Sequence, residues 1–216
     1  MAPPLDRDAG GHAMTVVLGI GNVLWADEGF GVRCVEALQQ RWAFGDAGAE
    51  VRLIDGGTQG LYLIQHVQSA ARLLIFDAID YGLEPGTLKV IEDDDVPRFM
   101  GAKKMSLHQT GFQEVLMLAK LTERFPERVT LIGCQPEEIE DYGGSLRPVV
   151  KTALEDALAL GLAKLREWGA QPVARALPPD GDETVTVPTL AIGAYEQGRP
   201  AAEQACRVGD ERFLPF

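Results

Sequence analysis

The body of the chain, from about residue 14 to residue 168, alternates short apolar segments with amphipathic ones. The first three apolar segments are 15–20 (TVVLGI), 51–54 (VRLI) and 73–76 (LLIF). Short apolar runs rich in β-branched residues are typical of buried strands. Because a helix usually connects two parallel strands, this alternation predicts a mainly parallel sheet. The expected fold class is α/β, a three-layer sandwich in which helices flank a twisted, mainly parallel sheet on both faces.

Further elements follow from local patterns. Residues 87–91 (TLKVI) alternate between apolar and polar, which predicts an edge strand, and 129–133 (VTLIG) predict the last strand of the sheet. Apolar side chains that share one helix face predict a helix after the first strand, namely Val35, Leu38 and Trp42. A capping box formed by Ser106 and Gln109 predicts the start of a later helix.

Composition divides the chain into three parts. Residues 1–13, mostly Pro, Gly, Asp and Ala, predict a flexible leader. Residues 14–169 form a single predicted α/β domain, whose last helix begins at Pro148. Residues 170–216 contain six prolines and several acidic residues. We expect this Pro/Gly/acid-rich tail to be poorly ordered or loosely docked, with one apolar stretch around Leu190.

Charge and cysteine content exclude several classes of function. The formal net charge is −12, and a chain this acidic is repelled by phosphate backbones, so no nucleic-acid partner is expected. No apolar stretch approaches the roughly 18–20 residues of a membrane span, so no membrane insertion is expected. Three widely spaced cysteines without a CxxC pair argue against a disulfide framework. We therefore expect a cytoplasmic protein, and the sequence predicts no particular oligomeric state.

Three polar residues follow or face the predicted strand ends. Glu28 lies in the glycine-rich segment after the first strand, Asp77 directly follows the third strand, and His108 lies at the start of the capped helix. Ligands of open α/β sheets bind outside the carboxyl ends of the strands, so the topology can bring these residues to one edge. Two carboxylates and an imidazole suit nickel, zinc or iron, and three protein ligands leave a position open for substrate.

Each of these residues also has a purely structural explanation. Glu28 can favour a helix N-terminus electrostatically, with Asp27 as the N-cap of that helix. Asp77 can cap a turn at the end of its strand. His108 can be an ordinary histidine in the first turn of a helix. Spacing alone therefore leaves the metal-site interpretation and the structural interpretation open.

Other residues near the same predicted edge offer further chemistry. Asp55, Gly56 and Gly57 form a turn in which the glycines permit positive φ or a close approach of substrate, and Asp55 can contact a substrate or serve the turn. Cys134 follows the last strand and can act as a nucleophile activated by His108, or can be a buried apolar cysteine.

A nucleotide site is not favoured. The turn after the first strand begins Gly19-x-Gly21, but Leu24 occupies the sixth position of a G-x-G-x-x-G fingerprint.

Four segments resemble, in order, the motifs of the nickel–iron hydrogenase maturation endopeptidases. They are LGIGNVLWADEGFGVR (18–33), IDGGTQG (54–60), FDAID (76–80) and SLHQTG (106–111). The resemblance covers roughly residues 14–168 and does not extend to the leader or the tail. It implies an endopeptidase that removes the C-terminal extension of a nickel-loaded nickel–iron hydrogenase large-subunit precursor.

The resemblance also implies roles for individual residues. Glu28, Asp77 and His108 match the metal-contacting Glu, Asp and His of the family, as catalytic and metal-binding residues, and Asp55 matches an Asp linked to substrate handling. The implied metal is nickel, presented by the precursor, and no organic cofactor is expected. Two alternatives stay open, namely a metal-dependent module that binds the precursor without proteolysis and a cysteine hydrolase that uses Cys134 and His108.

Overall fold

The computed structural model describes residues 14–102, 107–180 and 183–200, without the side chains of 46–48, 99–102 and 107–110. The strands in these ranges are β1 (Thr15–Ile20), β2 (Trp42–Gly48), β3 (Val51–Gly57), β4 (Arg72–Ala78), β5 (Leu88–Glu92), β6 (Arg128–Cys134) and β7 (Ala170–Ala174). The helices are α1 (Phe30–Arg41), α2 (Ile64–Ser69), α3 (Asp95–Ala102), α4 (Leu107–Leu121), α5 (Pro148–Glu167) and α6 (Ile192–Gly198). The predicted leader and Ser106 lie outside the described residues.

Five strands form the central sheet, in the order β3-β1-β4-β6-β5. β1, β3, β4 and β6 are parallel, and β5 pairs antiparallel with β6 at the edge. This arrangement confirms the predicted α/β class and the mainly parallel sheet. β1 is buried along its whole length, which explains why its sequence is a continuous apolar run. The edge strand predicted at 87–91 is confirmed by β5.

Helices cover both faces of the sheet, so the protein has two hydrophobic cores. Leu74 and Phe76 of β4 belong to the core beneath α1 and α5. Leu73 and Ile75, the alternate residues of the same strand, belong to the core beneath α2 and α4. This alternation follows from the two-residue period of a strand. None of the helices in the described ranges combines the length and apolar character needed to cross a lipid bilayer.

α1 crosses the carboxyl ends of β1 and β4 at very short range. A Cβ atom at Gly31 would overlap the carbonyl oxygens of Ile20 and Phe76, and one at Gly19 would overlap the carbonyl oxygen of Gly31. Overlap with backbone atoms cannot be relieved by a change of rotamer. Glycine at both positions is therefore required for this packing of helix on sheet.

The segment after α5 contains elements that its composition did not predict. β7 pairs antiparallel with β2 in a second, two-stranded sheet, and α6 follows further along the chain.

Trp42, which we placed on a helix face, instead begins β2, because α1 ends at Arg41. α3 was also not predicted. Pairing of two strands about 130 residues apart leaves no local period in the sequence, which explains the error at Trp42. The boundary between domain and tail stays a prediction.

Residues 183–200 lie against the outer side of α1 through buried polar contacts. Arg33 donates a hydrogen bond to the carbonyl oxygen of Leu190 (2.6 Å), and Glu36 accepts one from the backbone N–H of Ile192 (2.8 Å). Arg33 and Glu36 form an ion pair at 2.7 Å, with side chains only 3% and 5% exposed. Buried charges are tolerated only when they are well partnered, so this pair ties the segment to α1.

The glycine contacts of α1 predict the effect of added side chains. Gly31→Ala is expected to lower the free energy of unfolding by about 1–3 kcal/mol, because a methyl group must displace backbone. Gly193→Ala is the matched control, since a Cβ there meets nothing within 4 Å and the position is exposed. It is expected to leave stability unchanged or raise it by up to ~1 kcal/mol. Urea denaturation measures both, and equal midpoints for the two variants would contradict this account of the packing.

The buried ion pair predicts a large cost for the loss of one partner. Arg33→Met leaves the Glu36 carboxylate buried without its cation and is expected to cost about 3–5 kcal/mol. Arg41→Met is the control, because Arg41 and Glu155 form a pair whose side chains are 48% and 61% exposed. Its expected cost is below ~1 kcal/mol. Chemical denaturation gives both values, and hydrogen exchange at the Ile192 amide should accelerate only in the Arg33 variant. Similar costs for the two variants would refute the interpretation.

Candidate active site

The chain leaves β1 in a tight turn that places Glu28 at the carboxyl end of the sheet. The Asn22 side chain accepts a hydrogen bond from the backbone N–H of Leu24 (3.0 Å), and the Glu28 N–H donates to the carbonyl oxygen of Trp25 (2.9 Å). Gly21 has a φ of 129°, and a Cβ there would overlap the Glu28 carbonyl oxygen. Only glycine permits this return of the chain. The Glu28 side chain is half-buried, so part of its surface remains accessible.

Asp77 lies near the end of β4, the strand next to β1, and it is completely buried. Its backbone is in register with Gly133 of β6. The short 3-10 turn Ala26–Gly29, which carries Glu28, contacts β4. The structure thus brings the elements of Glu28 and Asp77 together at the predicted edge of the sheet.

The backbone of His108 lies in the first turn of α4, and its side chain lies outside the described residues. One helical turn later, Gly111 packs against Gly60, where a Cβ on Gly111 would lie 3.5 Å from the Gly60 Cα. The start of α4 therefore adjoins the loop after β3. Among the described side chains, no three His, Cys, Asp or Glu residues form a group that could hold a metal ion. The assignment of Glu28, Asp77 and His108 as metal-binding residues stays a prediction.

Asp55, Gly56 and Gly57 end β3 at the same edge of the sheet. A carboxylate oxygen of Asp55 accepts a hydrogen bond from the Gly57 N–H (3.0 Å), and Gly57 has a φ of 47°. A Cβ at Gly56 would lie 3.0 Å from the carbonyl oxygen of Gly19 in β1. The positive φ of Gly57 and the close approach of Gly56 to β1 therefore favour glycine at both positions, independently of any contact with substrate.

The environment of Asp55 disfavours its charged form. Burial raises the pKa of this carboxyl above its ordinary value, and the negative charge of Glu36 acts in the same direction. The hydrogen bond from Gly57 and the positive charge of Arg33 oppose the shift without cancelling it. A carboxyl kept half-buried at this cost is typical of functional sites.

Cys134 has the environment of a structural cysteine. It is completely buried at the end of β6, and its thiol contacts the carbonyl oxygen of Gln135 at 3.6 Å. Burial, with a smaller contribution from the charge of Asp27, raises the pKa of the thiol to about 12. Because the thiolate is the reactive form, a thiol with this pKa is a poor nucleophile near neutral pH. The geometry therefore argues against the cysteine-hydrolase alternative.

Asp27 has a role that the sequence analysis missed. The interpretation as an N-cap is wrong, because neither the 3-10 turn nor α1 has a side-chain cap. Instead, its buried carboxylate accepts three backbone hydrogen bonds, from Glu137 (2.9 Å), Glu138 (2.9 Å) and Arg147 (2.7 Å). The three donors lie 110 to 120 residues away in the chain. No local pattern could have revealed them.

Comparison with known proteins identifies the family. The family model described as hydrogenase maturation protease matches residues 32–164. The hydrogenase expression/formation protein HoxM of Cupriavidus necator is 66% identical over 202 residues, which cover 94% of this chain and 98% of that protein. The hydrogenase 2 maturation protease of Escherichia coli is 41% identical over 161 residues, covering 74% and 95% of the two chains.

A solved structure agrees with this assignment. The hydrogenase maturating endopeptidase HybD from Escherichia coli matches with a TM-score of 0.70 and 40% sequence identity, covering 76% of this chain and 98% of that chain. The shared architecture is the central, mostly parallel sheet flanked by helices. The resemblance inferred from the motifs is thus confirmed over most of the chain. The protein belongs to the hydrogenase maturation protease family, and it is an endopeptidase, a peptide-bond hydrolase that acts in hydrogenase maturation.

Proposed function

We propose that this endopeptidase removes the C-terminal extension of a nickel–iron hydrogenase large-subunit precursor, and that it acts on the nickel-loaded form. The observation that carries the proposal is the convergence of three elements on one edge of the sheet. These are the turn of Glu28, the end of β4 with Asp77, and the start of α4 with His108. Carboxylate and imidazole ligands suit nickel, and the motif resemblance supports this set. The expected cytoplasmic location is part of the same proposal.

In this mechanism nickel belongs to the substrate. Glu28, half-buried at the surface of the edge, engages the metal held in the precursor, and His108 completes the contact. Asp77 is completely buried, so its charge acts through a medium of low polarity and is screened less than a surface charge. When bound with the precursor, nickel would supply the Lewis acidity that polarises a carbonyl or activates a water molecule. A precursor without nickel lacks this contact, so metal loading becomes a checkpoint before cleavage.

The turn of Asp55, Gly56 and Gly57 is proposed to contact the precursor chain next to the scissile bond. It lies at the carboxyl end of β3, directly beside β1 in the sheet, so it adjoins the Glu28 turn. Gly57 and Gly60 both have positive φ, and the chain between them turns toward α4. A substrate peptide bound along this edge would contact the Asp55 carboxyl and the metal-binding residues together.

The proposed metal contact predicts an effect on cleavage. Intact-mass analysis of a cognate precursor, with and without nickel, is expected to show loss of a C-terminal fragment only from the nickel-loaded form. Glu28→Gln is expected to lower the rate of this cleavage by about 100-fold or more, because the variant loses a charged contact that acts on the reacting centre. Circular dichroism and thermal melting should show that the variant is folded.

The matched control is Glu140→Gln, which makes the same change at an exposed position in the loop after β6. It is expected to cleave like the wild type, and so is Cys134→Ala. Normal cleavage by folded Glu28→Gln protein would refute the role of Glu28. Equal cleavage of both precursor forms would refute the nickel checkpoint, and a stable complex without any change of mass would point to recognition without proteolysis.

Another prediction follows from the raised pKa of Asp55. The pKa of Asp55 is higher in the folded chain than in the unfolded chain, where it is about 3.9. Below about pH 3.9 the carboxyl is protonated in both states, so it does not lower the free energy of unfolding. As pH rises through the unfolded and then the folded pKa, ionisation destabilises the folded state. Asp55→Asn removes this penalty and keeps an acceptor for the Gly57 N–H.

The stability gained by Asp55→Asn should therefore increase from about pH 4 upward and become constant near neutral pH. Urea denaturation of both proteins across this range measures the difference, and carbon-13 NMR of the Asp55 carboxyl gives its midpoint directly. The variant should cleave the precursor more slowly although it is at least as stable at pH 7. A stability difference that is the same at every pH would contradict the inferred burial effect.

A further inference from the structure

Asp27 joins the turn that carries Glu28 to the loop after β6, residues 135–147. Besides accepting three backbone hydrogen bonds, Asp27 donates its own N–H to the Glu138 carbonyl oxygen (3.0 Å). Both the main chain and the side chain of Asp27 are thus bonded to this loop. Glu28 is the next residue, so the position of its backbone depends on these four hydrogen bonds.

Two neighbouring contacts hold the same pair of segments together. The Gly143 N–H donates to the Leu24 carbonyl oxygen at 2.7 Å. The rings of Trp25 and Tyr142 meet edge to face, with centroids 5.3 Å apart. Both contacts lie on the N-terminal side of Asp27, and together with the hydrogen bonds of Asp27 they hold the Glu28 turn against the loop.

The same loop also supports the segment that follows Asp77. The Gln135 side chain accepts hydrogen bonds from the backbone N–H groups of Tyr81 (2.7 Å) and Leu83 (3.2 Å), and it donates to Asp80 (3.1 Å). Loop 135–147 is thus a common support for the turn that carries Glu28 and for the segment that follows Asp77. Asp27 is its connection to Glu28, and Gln135 is its connection to the chain beyond Asp77.

The way in which the Asp27 charge is stabilised indicates what it does. Within the described residues, Asp27 forms no ion pair, and its completely buried carboxylate is stabilised by backbone N–H groups. A buried carboxylate is costly to desolvate, so the bonds that compensate it must be kept together. The backbone of three loop residues is therefore held in fixed positions around Asp27.

We propose that Asp27 is a positioning residue for Glu28. It fixes the Glu28 turn against loop 135–147, so that the Glu28 carboxylate meets the metal of the precursor without reorganisation. This inference rests on the proposed function. Misplacement of a reacting group by about 1 Å can cost a factor of about 100 in rate, so the position of the turn matters directly for cleavage.

Asp27→Asn is the first test, since it replaces one acceptor oxygen with an NH₂ group that faces a backbone donor. We expect kcat for the nickel-loaded precursor to fall about 10-fold to 100-fold, as for residues that orient metal ligands, and the Kd for this precursor to rise. Asp93→Asn is the matched control, because the Asp93 carboxylate accepts a hydrogen bond from the Val129 N–H (3.0 Å) at the opposite end of β6. It should lower thermal stability without lowering kcat.

A second pair of variants tests the backbone contact without changing Asp27. Arg147 has a φ of −64°, which proline also adopts, and its N–H is one of the three donors to Asp27. Arg147→Pro removes this donor together with the side chain, whereas Arg147→Ala removes only the side chain and its ion pair with Asp141 (2.9 Å). The alanine variant is therefore the reference, and we expect kcat to be lower in the proline variant than in the alanine variant. Equal kcat for the two would count against the inference, even if Asp27→Asn does not fold.

A double-mutant cycle separates positioning of Glu28 from a general structural effect. Its readout is the Kd for the nickel-loaded precursor, measured with Asp27→Asn in the wild-type and in the Glu28→Gln background. Positioning predicts that Asp27→Asn weakens binding only when Glu28 is present. Equal weakening in both backgrounds, or an unchanged kcat in folded Asp27→Asn protein, would overturn the inference. Failure of the proposed function is distinguishable, because the wild type itself would then not cleave the precursor.

Discussion

The close contact between α1 and the ends of β1 and β4 is the constraint on which the rest of the structure depends. Gly19 and Gly31 leave no side chain at the crossing, so backbone meets backbone there. A larger residue at either position would lift the helix from the sheet and separate the Glu28 turn from β4. The hydrophobic core beneath α1 and the geometry of the candidate active site are therefore set by the same contact.

Buried polar groups then connect parts of the chain that the hydrophobic cores do not order by themselves. Asp27 holds the loop after β6 against the Glu28 turn, and the pair Arg33 and Glu36 holds residues 183–200 against α1. The residues of both sets of buried contacts lie close together in the sequence, at or just before the first turns of α1. Because a buried charge must keep its partners, each set of contacts favours one position of the attached segment over similar alternatives. The hydrogen bonds of Asp27 thereby connect the loop after β6 to the turn of the proposed site.

Much of the fold followed from local patterns. Apolar runs of strand length predicted β1, β4 and β6 because strands of a covered parallel sheet are buried on both faces. The apolar run 51–54 also predicted β3, an edge strand that is only partly buried. The candidate site followed from the rule that ligands bind at the carboxyl ends of such strands, which placed Glu28 and Asp77 correctly at one edge. The motif resemblance then supplied the family, which the comparisons with known proteins confirm. The helical period of the apolar residues wrongly placed Trp42 on a helix face, because α1 ends at Arg41 and β2 begins at Trp42.

The sequence by itself determined the α/β class, the main parallel strands and the residue types at the end of each strand, since these depend on hydrophobic period and on the order of segments. Only the tertiary structure decided which backbone groups the Asp27 carboxylate binds, that Arg33 and Glu36 bind the backbone of Leu190 and Ile192, and that β2 pairs with β7. The physical reason is distance along the chain. These contacts join residues that are far apart in sequence, and their partners are often backbone N–H and C=O groups, which every residue type except proline offers equally.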